Sequence, residues 1–287
     1  MQPQAREARV RLPTDVVPAR APSAGSGLAE LWNHRSLVWA FVVNDLRERY
    51  LGSSIGFFWT VVTPLLELIT YTFVFHVLLA VKFHPAGGWT HYALFLFCGM
   101  VTWFAMSDGL TRATDAVTGH GNLVRKIHFP AMVLPAHVIA SAVLNQSIRL
   151  GVLALAALIL GQGLSWHFLL VPFVVLIQAS FTMGLGMVLS TVNVYFRDTI
   201  HWVNASLLLW MFVTPVFYPA AVYPKKFILL LNLNPLAHIV GVYQELILNH
   251  RMPHPHSVLV AVAAGVFMLI IGYSVFRQHE GKFSDLV

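Results

Sequence analysis

The sequence predicts an all-α integral membrane protein with six transmembrane helices, and three observations carry that fold class: composition, apolar stretches of spanning length, and the placement of Lys and Arg between them. Hydrophobic residues make up 57% of the 287-residue chain and charged ones 10%, too little charge to clothe a water-soluble surface. A hydrocarbon core of roughly 30 Å takes about 20 helical residues to cross. Stretches of about that length run over about 57–81, 91–108, 132–160, 168–193, 202–219 and 258–276. They are continuous instead of alternating, which selects helices over barrel strands. Thirteen Lys and Arg fall on the side of the N-terminus, four (Lys82, Lys225, Lys226, Arg251) on the other, and Arg149 inside a span. That asymmetry puts both termini in the cytosol of a multi-pass protein.

Residues 1–27 read as a disordered cytosolic tail, with Arg6, Arg9, Arg11 and Arg20 among Pro, Ala and Ser and no apolar run before a cleavage site. Residues 28–51 read as an amphipathic helix in the cytosolic interface. At helical spacing Leu28, Leu31, Trp32, Val38, Trp39, Val42 and Leu46 share a broad face, with Glu30, Asn33, Asn44, Asp45 and Glu48 largely off it. A seventh span is the alternative, and the charges Asp45, Arg47, Glu48 and Arg49 weigh against it. Gly52-Ser53-Ser54 permits a sharp turn into the transmembrane domain, residues 52–280, which a short cytosolic C-terminus, 281–287, follows.

Two connections are more than plain loops. After Ser107-Asp108, the stretch Thr111–Thr118 can continue as a helix until Gly119-His120-Gly121 breaks it, and Asn122 is placed to cap a short basic helix that ends before Pro130. Arg125 and Lys126 would also suit an ordinary positive-inside loop. Between the fifth and sixth stretches, Phe227–Leu233 and Leu236–Leu248 are apolar but too short to cross, and Asn232, Asn234 and Pro235 interrupt them. Helices dipping part way into the outer leaflet satisfy their own backbone while burying such faces; a surface lid is the alternative.

Glu67 and Arg149 lie near the middle of the first and third stretches, where an unpaired charge costs about 2.5 to 3.5 kcal/mol. The expectation is that they pair, face water, or both. Asn145, Gln146 and Gln178 suit interhelical hydrogen bonds better than a substrate site, and Ser180, Gly184 and Gly186 permit a close helix contact with a second copy. No Gly-x-x-x-x-Gly-Lys-[Ser/Thr] loop is present, so ATP is not held by that device and the energy must come from a partner or an ion gradient. His250, His254 and His256 straddle Pro253 without helical spacing and read as a loop, not a metal site. Cys98 alone forms no internal disulfide, the Asn145 and Asn204 sequons lie in or beside spans, and the dispersed basic residues suit anionic lipid, not nucleic acid.

Six segments, in this order, carry a resemblance: Tyr50-Leu-Gly-Ser-Ser-Ile-Gly-Phe-Phe-Trp-Thr-Val-Val-Thr-Pro64, Tyr71-Thr-Phe-Val-Phe75, Leu123-Val-Arg-Lys-Ile-His-Phe-Pro130, Asn193-Val-Tyr-Phe-Arg-Asp198, Thr214-Pro-Val-Phe-Tyr-Pro219 and Asn234-Pro-Leu-Ala-His-Ile-Val240. From about residue 30 onward the chain resembles the permease subunit of type-2 ABC exporters for cell-surface polysaccharide, closest to the O-antigen exporters. Glu67 stands where the resemblance leads one to expect an apolar side chain.

The resemblance implies a transporter subunit with no catalytic residue and no cofactor of its own, in the bacterial inner membrane. Its partners would be a second copy of itself, a cytosolic ABC ATPase dimer that holds ATP and Mg, and a lipid-diphosphate-linked polysaccharide. ATPase contacts would fall on the interface helix (Leu31, Trp32, Arg35) and on a coupling helix at about 118–129 (Asn122, Leu123, Val124, Arg125, Lys126). Re-entrant helices at about 225–249 would gate the periplasmic end through Phe227, Asn234, Pro235 and Tyr243. Arg49, Arg125 and Lys126 are candidate attractors for the diphosphate, which needs positive charge. Tyr71, Phe181 and Tyr218, with Glu67 and Arg149, are candidate channel or helix-pairing side chains. A capsule or teichoic acid exporter, a type-2 ABC drug or lipid exporter, a gradient-driven secondary transporter and a membrane scaffold are the alternatives.

Overall fold

The computed structural model describes residues 31–50, 56–78, 88–125 and 129–287. Among them every regular element is helical. Four helices are long and apolar enough to cross a membrane: α3 (Gly88–Asp115), α5 (Val133–Ile159), α6 (Val171–Tyr195) and α10 (Pro255–His279). These four coincide with the second, third, fourth and sixth apolar stretches.

The first and fifth stretches fold differently from one uninterrupted span each. The first is α2 (Trp59–Thr72), continued by a π-helical turn over Phe73–Leu78; residues 79–81 and the Gly52-Ser53-Ser54 turn lie outside the described residues. Gly56 just before it has φ +54°, a conformation that glycine adopts without penalty. The fifth, α7 (Thr199–Val213), stops six residues short of the expected end. Pro215 is the cause: it forces Thr214 into extended backbone (φ −86°, ψ 137°).

Of an 18-residue apolar stretch of α3 72% is buried, against 17% for that of α10, so α3 is the central rod and α10 the periphery. Leu94, Phe97, Met100, Met106 and Leu110 of α3 are almost fully buried in a core shared with α5, α6 and α9 (Pro235–Ile247). The small residues of α6 are consumed within the chain. A Cβ on Gly184 would lie 2.2 Å from the Met268 backbone of α10, one on Gly272 would lie 2.0 Å from Gly184, and one on Gly186 would lie 2.9 Å from Ala113 of α3. The stripe expected to meet a second copy therefore packs α6 against α10 and α3, where the absence of side chains lets backbones touch.

Helix α1 (Arg35–Tyr50) lies along α5. Val42 is fully buried, and Leu31, Val38 and Phe41 pack into a second core with Val124, Met132, Phe276 and Phe283. Trp32 and Trp39 are 69% and 59% exposed, so the expected single apolar face is split. Its aliphatic edge meets protein, and its two indoles face outward as membrane-interface residues do.

Candidate functional site

Between α2, α3, α5 and α7 runs a groove of about 740 Å³. Thr60, Thr63, Ser107, Asn145 and Asn204 line it together with Trp59, Trp103 and Phe104. Glu67 and Arg149 meet across it at 3.2 Å, each side chain 22% exposed, and the Arg149 guanidinium lies 5.6 Å from the Phe104 ring centre. The two mid-span charges are therefore both partners and groove lining. Asn145 Nδ2, one turn before Arg149, is buried without a hydrogen-bond partner. Tyr71, Phe181 and Tyr218 are not part of the groove wall: Tyr71 lies 6.1 Å from Phe217, Phe181 is buried edge-on to Trp210, and the Tyr218 hydroxyl donates to the Phe212 carbonyl at 2.6 Å.

At one mouth of the groove four charges join α1 to α3. Arg112 contacts Asp45 at 2.7 Å and Asp108 at 3.3 Å; Arg49 contacts Asp108 at 3.0 Å and Asp45 at 3.6 Å. Arg112 also donates to the Val138 carbonyl of α5 at 3.3 Å. Asp45, expected off the packed face, points into this network. Burial pushes its carboxyl up, but Arg112, Ser141 and Arg49 outweigh that and hold it below its usual 3.8. Arg49, a candidate head-group attractor, carries two carboxylate neighbours.

The same end of the molecule holds the short segment after α3. Thr118 donates to Asp115 at 2.6 Å and accepts from Asn193 of α6 at 2.9 Å, which ends α3 three residues before the expected break. A 3-10 turn, Thr118–His120, leads into α4 (Gly121–Val124). The helix begins at Gly121, so Asn122 sits in its first turn instead of capping it. Asn122 and Arg125 are exposed, Leu123 is half-buried and Val124 is buried. Lys126 lies outside the described residues. Arg125 donates through Nε to the Val287 carbonyl at 2.8 Å, and α11 (Phe283–Leu286) anchors this tail by burying Phe283 against Phe276. Arg35 stays local: it donates to the Trp32 carbonyl at 3.0 Å and its guanidinium lies 5.3 Å from the Trp32 ring centre.

At the opposite end, α8 (Ile228–Leu233) and α9 meet at 89°. Asn234 makes the corner. Its Oδ1 accepts from Trp210 Nε1 at 2.9 Å and from Leu236 N at 3.1 Å, and its Nδ2 donates to Thr214 Oγ1 at 2.9 Å. One side chain thus caps α9, whose N1 position is Pro235, and ties the bend to the end of α7. The fully buried Tyr243 hydroxyl accepts from Gln146, Gln146 donates to Gln178 at 2.8 Å, and Gln178 donates to the Thr102 carbonyl at 3.0 Å, so α9 is bonded to α5 and, through α6, to α3. Phe227 is 49% exposed beside Lys226. Sequence reasoning missed Thr214, Trp210, Asp108, Arg112 and Phe283; only the Asn-Pro pair at 234 carried a local signal, that of a helix cap.

The family model for the ABC-2 type transporter matches residues 36–248. The chain is 32% identical over 260 residues, 90% of itself and 98% of the relative, to an O-antigen export system permease protein RfbA of Myxococcus xanthus. It is 25% identical to an RfbA of Klebsiella pneumoniae over 85% of this chain and 92% of that one. A polysialic acid transport protein KpsM of Escherichia coli is 21% identical over 84% of this chain and 92% of its own length. On a match of this extent, joined to an all-helical fold with four long apolar helices, the chain belongs to the ABC-2 type transporter family of membrane proteins.

Proposed function

We propose that this protein is the membrane-spanning subunit of an ATP-driven exporter moving lipid-linked polysaccharide of the O-antigen type from cytosol to periplasm. The observation that carries the reading is the 32% identity, over 98% of its length, to a relative named as an O-antigen export permease. In this reading the chain makes six spans, α2 with its π turn being the first and α7 the fifth, with both termini in the cytosol. Two copies bring their grooves together into one passage.

The parts have matching roles. Trp59, 39% exposed, offers a ring face to the apolar faces of sugars, and the threonines and Asn204 offer hydroxyl and amide partners that a sliding chain makes and breaks. ATP and Mg sit on a separate cytosolic ATPase dimer. Its closure pushes α1 through Trp32 and α4 through Asn122 and Leu123, and the bent pair α8–α9 closes the periplasmic end, a lever-and-gate scheme of ordinary rigid-body type. Arg125 and Lys126 meet either the ATPase or the substrate diphosphate; Arg49 already answers to Asp45 and Asp108, which favours a structural part for it.

The test is export from inverted vesicles that contain this chain and its partner ATPase. ATP-dependent transfer of lipid-linked glycan is expected, and it stops when the partner carries a hydrolysis-blocking substitution. Full transport by this chain alone, without nucleotide, would reject the scheme.

A further inference from the structure

Among the described residues the charges that line the groove are four, Arg49, Asp108, Glu67 and Arg149. They form two pairs, at 3.0 Å for Arg49 with Asp108 and 3.2 Å for Arg149 with Glu67. The wall is thus polar yet electrically balanced, and a second copy adds both signs equally, so dimer formation keeps the balance. A passage for a polyanion needs surplus positive charge, because each desolvated acidic sugar has to be answered. Among its described residues this groove has none to offer. It has hydrogen-bonding groups and aromatic rings, with the orphaned Asn145 Nδ2 beside Arg149. Buried donors without a partner are costly and mark a place where a ligand oxygen can bond.

We infer that the Glu67–Arg149 pair, with Asn145 next to it, is a charge-neutral station that selects uncharged glycan over acidic glycan. The inference rests on the polysaccharide reading above and adds the class of sugar. Glu67 acts through Arg149: it cancels a guanidinium that otherwise attracts carboxylates. Arg149, still bonded to Glu67, keeps N–H groups for sugar hydroxyls, and Asn145 supplies a further donor. One relative is named for transport of polysialic acid, a polyanion, so an acidic glycan is a competitor worth excluding.

The experiment uses the full chain in lipid nanodiscs and two soluble probes of equal length, maltoheptaose as the neutral glycan and oligogalacturonate as the acidic one. Binding is followed by calorimetry at low and at high salt. The wild-type chain is expected to bind maltoheptaose about tenfold better, with no gain for the acidic probe at low salt. Glu67→Gln, which uncovers Arg149, shifts the ratio about tenfold toward oligogalacturonate. Arg149→Gln shifts it the other way, and exchanging the two residues restores the wild-type ratio. Should Glu67→Gln bind both probes with the wild-type ratio, the pair is a helix clamp only and the inference fails while the polysaccharide reading stands. A wild-type chain that prefers oligogalacturonate at low salt overturns the inference without any variant being made. A wild-type chain that binds neither probe removes the polysaccharide reading and this inference with it.

Discussion

The two ends of the molecule are held by opposite means. At the α8–α9 corner the fastening is neutral and buried: Asn234, 5% exposed, bonds three partners, and Tyr243, fully buried, is bonded by Gln146. At the α1–α3 junction it is ionic and open, with side chains 19% to 40% exposed. Buried neutral hydrogen bonds are insensitive to salt and expensive to leave half-made, whereas exposed ion pairs are individually weak and screened. The corner therefore keeps one geometry, whereas the α1 junction is cheap to break and re-form.

The comparison breaks most sharply at Asn234. Asn234→Leu orphans Trp210 Nε1, Thr214 and the first amide of α9, for a loss of about 3 kcal/mol, read as a lower midpoint of thermal unfolding in detergent at any salt. Tyr243→Phe removes one bond to Gln146 and costs about 1 kcal/mol, again without salt dependence. Asp45→Asn at the other end costs about 1 kcal/mol at low salt and frees α1, read as faster hydrogen exchange over 38–49 only. Acid has the same effect. Because the folded Asp45 carboxyl lies below its ordinary value of 3.8, its contribution is complete above that value and disappears as pH falls through the lowered one. Asp108→Asn has the smallest effect, a few tenths of a kcal/mol, which vanishes in high salt; an effect of equal size at high salt would mean that the two ends are alike after all.

Much of the fold was legible because a bilayer allows few solutions. The stretch at 132–160 became α5 to within one residue at each end and that at 258–276 became α10, three residues longer at each end, since an apolar run of spanning length has little else to form. The ends of α2 and α7 were not legible, because a π turn at Phe73 and the effect of Pro215 depend on backbone details that hydropathy ignores. In the groove, the depth of Glu67 and Arg149 could be counted along the chain, and the cost of a lone charge argues for their meeting. The contacts of Asn234 with Trp210 and Thr214, and of Asp45 with Arg112, join residues 20 or more positions apart, and no local pattern encodes such pairs. Tyr71, Phe181 and Tyr218 show the converse: an aromatic suited to sugar is equally suited to packing, and sequence does not choose between the two.

The contact between Gly184 and Gly272 reaches beyond the two helices. With no side chain to yield between them, α6 and α10 form a single keel, and the tail that carries Phe283 continues from α10 to the floor beneath α4. In the proposed export scheme a stroke at α4 would therefore meet a stiff counterpart, and any tilting would fall to the lighter helices α2 and α7 on the far side of α3.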